Sequence, residues 1–291
     1  MNTSTFQHIL VGVDFSDAGQ AALRTGVQLA LRERGVRLSA FHLTGSESRH
    51  QIQGEDGQPR SLRQALLEAV RRWDPDDRLA GRLELRVALG DAPGRLLELI
   101  DELGCDLVVV GPSARSTLER WTLGSVSRSL LRDAPCPVWL ASGEEPEPLR
   151  CVVAGIDYSD ASIVAVRAAL QVAAGAGTPL HLVHVATEEE GVLHVSHQME
   201  GQERLKTNAE VELERYCLAS FPELEGLGLN LHFKAGGDVP ELLAATAREL
   251  KASLLVLGHH QHGFLHRIFV GSTAERLLER TPCHLLITHG G

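Results

Sequence analysis

The chain of 291 residues lacks the features that mark membrane, secreted and nucleic-acid-binding proteins. Its longest apolar runs are strand-sized, as at 107–110, whereas a membrane helix needs about 20 consecutive apolar residues. The polar N-terminus has no basic flank leading into an apolar stretch, so we expect no secretory signal. The net charge is −10 and there are only three lysines, which argues against nucleic acid or an anionic membrane as the main partner.

Cysteine pairs and catalytic motifs are also missing. The five cysteines form no CxxC pair, and such a sparse, odd set is typical of reduced thiols in a cytoplasmic protein. No G-x-S-x-G, H-E-x-x-H or Walker A motif occurs. Several histidines crowd 259–266, but neither an acidic residue nor a cysteine lies among them, so we expect no metal site. The sequence therefore predicts a cytoplasmic protein that is not a dedicated enzyme.

What the sequence does contain is an internal repeat. Residues 9–17 (I-L-V-G-V-D-F-S-D) recur as 152–160 (V-V-A-G-I-D-Y-S-D). A G-D-x-P motif, an apolar run ending in Gly, a Gly-Ser pair and a Pro-Cys pair then recur in the same order. So many motifs in one order indicate a tandem duplication. We predict one domain at 1–142, an acidic Pro-rich linker at 143–150, and a second domain at 151–291.

Short apolar runs alternate with helical periodicity in each half, which predicts an α/β fold. Runs such as 108–110 are apolar throughout, as in parallel strands that helices cover on both faces. The predicted strands, five in each half, are 8–13, 37–43, 83–88, 106–110 and 137–141, then 151–156, 179–185, 229–234, 253–257 and 283–288. Pro137 and Pro282 start the fifth strand of each half and lack a ladder donor, which favours an edge position.

The candidate binding residues are two aspartates and the Gly-Ser pairs. Asp14 and Asp157 follow the first strand of each half, where parallel sheets place ligands such as ribose hydroxyls or a metal-bound water. The alternative is that Asp14 or Ser16 only caps the first helix. Gly124 and Ser125 open a later helix, whose free N–H groups bind anions and whose Ser125 hydroxyl either caps the helix or contacts a phosphate.

Together these motifs resemble the universal stress protein family. The resemblance rests on V-x-V-D-x-S at the first strand, G-x-x-P before a helix, and G-x2-G-x9-G-[ST] after the fourth strand, and it covers nearly all of the chain as two copies. For each half it implies a doubly wound, five-stranded parallel sheet with strand order 3-2-1-4-5 and an ATP site between strands 1 and 4. It also implies that 137–141 and 283–288 pair, so that the halves pack as a pseudo-dimer.

The same resemblance implies the residues of the site, with ATP bound alone or with Mg²⁺. In the first half they are Val13, Asp14, Leu43, Gly111, Ala114, Gly124, Ser125 and Val126. In the second half they are Ile156, Asp157, Val185, Gly258, Gly271, Ser272 and Thr273. Ala114 and Gln261 replace the second glycine of the motif, and the run 258–261 resembles the branch of the family that does not hold ATP. The first half is therefore favoured for nucleotide binding.

Three functional interpretations follow from this reasoning. The main one is a stress-response regulatory module, in which adenine nucleotide orders the loop 112–123 and the helix from Ser125 and so changes a surface that an unidentified protein partner contacts. The second is a nucleotide-free scaffold of the same family that dimerises. The third is a slow ATPase or an autophosphorylating protein, with Ser125, Ser272 and Thr273 as acceptors. Whether the full chain forms a homodimer stays open.

Overall fold

The computed structural model describes residues 6–44, 51–53, 59–90, 92–112, 123–141, 148–186, 202–226, 230–260, 276–277 and 283–290. Its contacts divide the chain into two units. The first unit comprises residues 1–147 with 267–287, and the second comprises residues 148–266 with 288–291. Both units have the α/β architecture that the sequence predicts. Within the described ranges, no helix is long and apolar enough to cross a membrane.

Strands and helices alternate along residues 1–147. In chain order the elements are β1 (His8–Gly12), α1 (Asp17–Arg32), β2 (Arg37–Thr44), β3 (Gln51–Gln53), β4 (Pro59–Ser61), α2 (Leu62–Arg71), β5 (Leu83–Leu89), α3 (Ala92–Leu103), β6 (Leu107–Val110), α4 (Ser125–Asp133) and β7 (Val138–Leu140). Strands β5, β2, β1, β6 and β7 form a parallel sheet in that order. Strands β6 and β7 are buried at every position, as their unbroken apolar runs predict.

Residues 148–266 repeat this alternation. The elements are β8 (Val152–Gly155), α5 (Asp160–Ala176), β9 (Leu180–Ala186), α6 (Gln202–Ser220), a 3-10 helix (Pro222–Gly226), β10 (Asn230–Ala235), α7 (Val239–Glu249) and β11 (Leu254–His260), and β12 (His284–Gly290) is the last strand of the described chain. Strands β10, β9, β8 and β11 pair in parallel in that order. In both halves the strand bounds lie within a few residues of the predicted ones.

Strand β7 is not an edge strand, which corrects the expectation drawn from its proline. β6 pairs with β7 on one side, and residues 285–287 of β12 pair with it antiparallel on the other, within the first unit. The pairing between 137–141 and 283–288 is thus present. Pro137 is tolerated because it precedes the strand and contributes only its carbonyl, which accepts a hydrogen bond from the Val108 N–H at 3.1 Å.

Helix α1 packs closely on the sheet of the first unit and brings its first turn to the ends of β1 and β6. Its buried face consists mostly of small side chains, among them Ala18, Ala21 and Ala22, so the helix backbone can approach the strands. Ser16 is the N-cap residue of the helix, and its hydroxyl accepts a hydrogen bond from the Gly19 N–H at 3.1 Å. This close approach brings Ala18 and Gly19 to the ends of β1 and β6.

Candidate functional site

A cleft opens in the first unit where strands β1, β2 and β6 end. It contains about 520 Å³ of empty space, including the part that is open to solvent. The cleft is lined by Gly12, Val13, Asp14, Ala18, Gly19, Phe41, Leu43, Leu96, Val110, Gly111, Pro112 and Val126. Open parallel sheets bind ligands at this place, beyond the carboxyl ends of their strands.

Most of the predicted first-half residues come together in this cleft. Val13, Asp14, Leu43, Gly111 and Val126 all line it, although they come from four separate stretches of the sequence. Their neighbours in sequence, Gly124 and Ser125, form the start of helix α4, directly before Val126. The remaining predicted residue, Ala114, lies outside the described residues.

Asp14 is exposed and is oriented by the first turn of α1. Its Oδ1 accepts hydrogen bonds from the Ser16 N–H at 3.0 Å and from the Ser16 hydroxyl at 2.5 Å. Ser16 therefore caps the helix, and Asp14 holds the Ser16 side chain in place by accepting its hydrogen bonds. The second carboxylate oxygen, Oδ2, makes no hydrogen bond to any residue that the structure describes. It is the negatively charged acceptor that Asp14 offers to a ligand.

Two glycines leave no room for a side chain near Asp14. A Cβ added to Gly19 would overlap Asp14 Oδ1, and a Cβ added to Gly111 would overlap the backbone carbonyl of Ala18. Gly258 has the same relation to Ala161 in the second unit. The motif glycine at 111 is thus required by the packing of β6 against α1, besides any approach of a ligand. Sequence reasoning missed Gly19 because no motif marks it.

Helix α4 begins without a side-chain cap. Gly124 is its N-cap residue, with φ −76° and ψ 173°, and it forms no side-chain cap hydrogen bond. Ser125 is therefore the first helical residue, and the interpretation that it caps the helix is wrong. The buried Ser127 donates its hydroxyl hydrogen bond to the Gly111 carbonyl at 3.1 Å, which ties α4 to the end of β6. The N–H groups of the first turn of α4 are thus held at the cleft, where they suit an anion.

On the other face of the sheet, a residue in the left-handed conformation forms a corner next to Asp14. Phe15 has φ 61°, which is unusual for an aromatic residue. Its ring lies 4.7 Å, centroid to centroid, from the ring of the buried His42. His42 Nδ1 lies 2.7 Å from the Val13 carbonyl oxygen. Because a carbonyl oxygen only accepts, Nδ1 carries the proton of this hydrogen bond.

The second unit contains the same corner. Tyr158 has φ 65°, and its ring lies 5.0 Å from that of His184. His184 Nδ1 donates to the Ile156 carbonyl oxygen at 2.8 Å. The Asp157 Oδ1 accepts from the Ser159 N–H at 3.1 Å and from its hydroxyl at 2.5 Å, as Asp14 does from Ser16. The duplication therefore extends to hydrogen bonds that no sequence motif reveals.

The second unit differs from the first in the space beside Asp157. Leu257 occupies the position of Val110, and a Cβ on Gly155 would lie 2.7 Å from its Cδ2. Ser162 occupies the position of Gly19, and its Oγ accepts a hydrogen bond from the Asp157 N–H at 3.3 Å. Both replacements add side-chain atoms where the first unit has the cleft.

The other predicted residues of the second half are only partly covered by the structure. Ile156 and Val185 are buried, and Gly258 is half-buried within β11. Gly271, Ser272 and Thr273 lie outside the described residues, so the site residues of this half stay a prediction.

Two histidines in neighbouring strands of the second unit are hydrogen-bonded to each other. His181 and His232 lie on the neighbouring strands β9 and β10, and a hydrogen bond of 2.9 Å joins His181 Nδ1 to His232 Nε2. Burial lowers the pKa of both rings, which keeps them neutral at pH 7. In the part of the chain that the structure describes, no group of three or more His, Cys, Asp or Glu side chains is placed to hold a metal ion. The segment 261–266 lies outside that part.

The fold is that of a duplicated α/β protein, with a cleft at the carboxyl ends of the strands of the first unit. Sequence similarity gives the family. The family model of the Universal stress protein family matches residues 5–142 and, a second time, residues 149–289. The chain therefore belongs to the universal stress protein family and carries two of its domains in tandem.

Three known proteins show how far the similarity extends. Universal stress protein Rv2005c from Mycobacterium tuberculosis is 28% identical over 300 aligned positions, which cover 97% of each chain. A relative from Staphylococcus haemolyticus is 30% identical over 161 positions, covering 53% of this chain and 96% of its own. The crystal structure of a universal stress protein from Archaeoglobus fulgidus covers 99% of this chain and 100% of its own, with a TM-score of 0.66 and 18% identity. This last similarity concerns the fold.

Proposed function

We propose that the first half of this chain binds an adenine nucleotide, ATP alone or with Mg²⁺, and that the protein acts as a nucleotide-responsive regulatory module without dedicated catalysis. The observation that carries this proposal is the cleft of the first unit. It combines apolar walls, one exposed carboxylate and an uncapped helix start around one empty space.

Each part of a nucleotide has a chemically suitable surface in this cleft. The side chains of Val13, Phe41, Leu43 and Leu96 form apolar walls that suit a purine base. The Asp14 Oδ2 suits the ribose hydroxyls, because a carboxylate is a strong acceptor for O–H donors. The first N–H groups of α4 suit the phosphates.

The difference between the two units supports a single site, in the first half. Leu257 and Ser162 replace Val110 and Gly19, and both add atoms to the space that a nucleotide needs. At the motif level, Gln261 is bulkier than Ala114. Both the packing and the motif thus favour the first half.

A regulatory role follows from where the ligand would bind. A nucleotide that contacts both Asp14 and the start of α4 would bridge the turn between β1 and α1 and the helix that follows β6 along the chain. Binding would hold α4 against β6 more firmly and so change the surface that a partner protein contacts. The corresponding measurement is hydrogen exchange at the N–H groups of α4, which we expect to slow when ATP is added.

The site is tested by exchanging the side chains at the equivalent positions 110 and 257 of the two units. We expect Val110→Leu to fill the cleft and abolish ATP binding in isothermal titration calorimetry, whereas the matched variant Leu257→Val leaves the first-half affinity unchanged. ATP binding that survives both Val110→Leu and Asp14→Ala contradicts the proposed site.

Autophosphorylation is tested separately with γ-labelled ATP. Label that stays on the chain favours autophosphorylation, and Ser125 is the first acceptor to replace.

A further inference from the structure

We propose that His42 is a positioning residue for the nucleotide site, because its side chain holds the corner that carries Asp14. The inference rests on the proposed function of the first-half cleft and adds a residue that none of the family-like motifs contains. His42 lies on β2 and does not line the cleft.

His42 fastens the chain on both sides of Asp14. Its Nδ1 donates to the carbonyl of Val13, the residue before Asp14, at 2.7 Å. Its ring contacts Phe15, the residue after Asp14, with 4.7 Å between the centroids. The Val13 N–H completes the attachment by donating to the Phe41 carbonyl at 2.9 Å. One buried side chain thereby controls the direction in which the aspartate leaves the sheet.

The corner needs such an attachment because its conformation is unfavourable. Phe15 adopts φ 61°, and residues with a Cβ disfavour this left-handed region. Without the His42 contacts the backbone can relax toward an ordinary φ. The relaxation would turn Asp14 away from Ser16, whose N–H and hydroxyl fix its carboxylate. Oδ2 would then no longer face the cleft in one orientation.

His42 acts through Asp14 and not on the ligand. Side chains alternate along a strand, so Phe41 and Leu43 face the cleft while His42 between them faces the other side of the sheet. A change at His42 should therefore affect the contact that Asp14 makes, which we assign to the ribose. The contacts of the base and the phosphates should change little.

The second unit supplies a matched control for the experiment. His184 makes the same hydrogen bond, to Ile156, and the same ring contact, to Tyr158, beside Asp157. Replacing His184 removes an equivalent buried histidine from an equivalent corner. It does so in the half where Leu257 and Ser162 add atoms beside Asp157, so we expect it to report the structural cost alone.

The experiment measures the affinity of the full chain for ATP and for 2′,3′-dideoxy-ATP, which lacks the ribose hydroxyls. We expect His42→Leu to weaken ATP binding about tenfold, the usual effect of losing one buried hydrogen bond, and to leave the dideoxy affinity nearly unchanged. His42→Asn should recover part of the loss, because its side-chain amide can donate to the Val13 carbonyl. His184→Leu should change neither affinity, and His42→Leu should have no further effect in an Asp14→Ala background.

The outcomes separate this inference from the proposed function. A wild-type chain that binds neither nucleotide overturns both. A wild-type chain that binds ATP while His42→Leu binds it equally well overturns the role of His42 alone. Equal losses for ATP and dideoxy-ATP also overturn it, since they show general damage. If His42→Leu is unfolded by circular dichroism, His42→Asn carries the same comparison. A partial loss of ATP affinity with an unchanged dideoxy affinity then supports the role of His42, and an ATP affinity equal to that of the wild-type chain overturns it.

Discussion

At the scale of single residues, the space around Asp14 depends on two glycines, which have no side chain. Gly19 and Gly111 lie where a Cβ would overlap the Asp14 carboxylate and the Ala18 carbonyl, respectively. The sequence predicts Gly111 as a motif residue, but its contact with α1 depends on how the helix packs on the sheet. Gly19 has no such signal, because Asp14 and Gly19 become neighbours through the cap at Ser16.

We expect Gly111→Ala to lower the free energy of unfolding by roughly 2–3 kcal/mol, because the new methyl group must displace the first turn of α1. The comparison variant is Gly104→Ala. Gly104 has φ 61° and no heavy atom within 4 Å of an added Cβ, so only the backbone cost of about 1 kcal/mol applies. Urea denaturation of both variants checks the order. A larger loss for Gly104→Ala would show that Gly111 has space that the structure does not give it.

His284 should make the stability of the protein depend on pH on the acid side. Burial, together with the nearby Arg24 and Arg32, lowers the pKa of its ring from 6.5 to about 4. Between these pH values the unfolded chain binds a proton that the folded chain does not, so stability is complete above pH 6.5 and is lost as the pH falls toward 4. The loss is at most roughly 3.5 kcal/mol.

The measurement is denaturant unfolding at several pH values between 4 and 7.5. His284→Gln should flatten this dependence. It should not remove it, because the pKa values of His8, His181 and His232 are lowered in the same direction. An unchanged slope in His284→Gln would contradict the assignment.

At the scale of elements, the strands were predicted well and the site-forming helix ends less well. Strands such as β6 and β7 are short apolar runs whose length and composition are sufficient to place them. The hairpin of β3 and β4 has no such run, since it consists largely of Gln, Pro, Arg and Ser, and it was not predicted. The sequence places the start of α4 correctly, but one of its two alternatives for Ser125, a helix cap, is wrong: the N-cap is Gly124, and a glycine gives no side-chain signal.

Substitution of Gly124 at the uncapped start of α4 should have opposite effects on stability and on ATP affinity. Gly124→Asp supplies a side-chain acceptor for the first turn, so we expect the melting temperature to stay equal or to rise by the equivalent of a few tenths of a kcal/mol. The same carboxylate would occupy the proposed phosphate position and repel the negatively charged phosphates, so ATP affinity should fall by at least tenfold. Gly124→Ser provides a cap without the charge and should lose less affinity. A Gly124→Asp variant that binds ATP normally would place the phosphates elsewhere.

At the scale of the whole molecule, the sequence predicts the duplication. It predicts only part of the structural difference between the two halves. Repeated motifs predicted two α/β domains of the universal stress protein family, and the family match at residues 5–142 and 149–289 confirms this. The motifs singled out Ala114 and Gln261 as departures. The structure was needed to show that Leu257 and Ser162 add atoms beside Asp157. In the sequence, Leu257 looks like an ordinary apolar residue and Ser162 like an ordinary capping residue.

The first unit also needs residues from the end of the chain. Residues 285–287 pair with Val138–Leu140, so a fragment of residues 1–147 would leave one side of β7 without its partner. We expect this fragment to self-associate through that strand, because Trp139 and its neighbours are fully buried in the full chain. Sedimentation velocity over a range of concentrations checks this. A fragment that stays monomeric at all concentrations would show that β7 does not need the pairing.

We propose that one half of the chain, and only one, binds adenine nucleotide. The most direct test is the stoichiometry of ATP binding to the full chain, measured by isothermal titration calorimetry with an independent protein concentration. We expect one site per chain, which Val110→Leu removes. Two equivalent sites would contradict the role given to Leu257 and Ser162, and the absence of binding would favour the nucleotide-free scaffold.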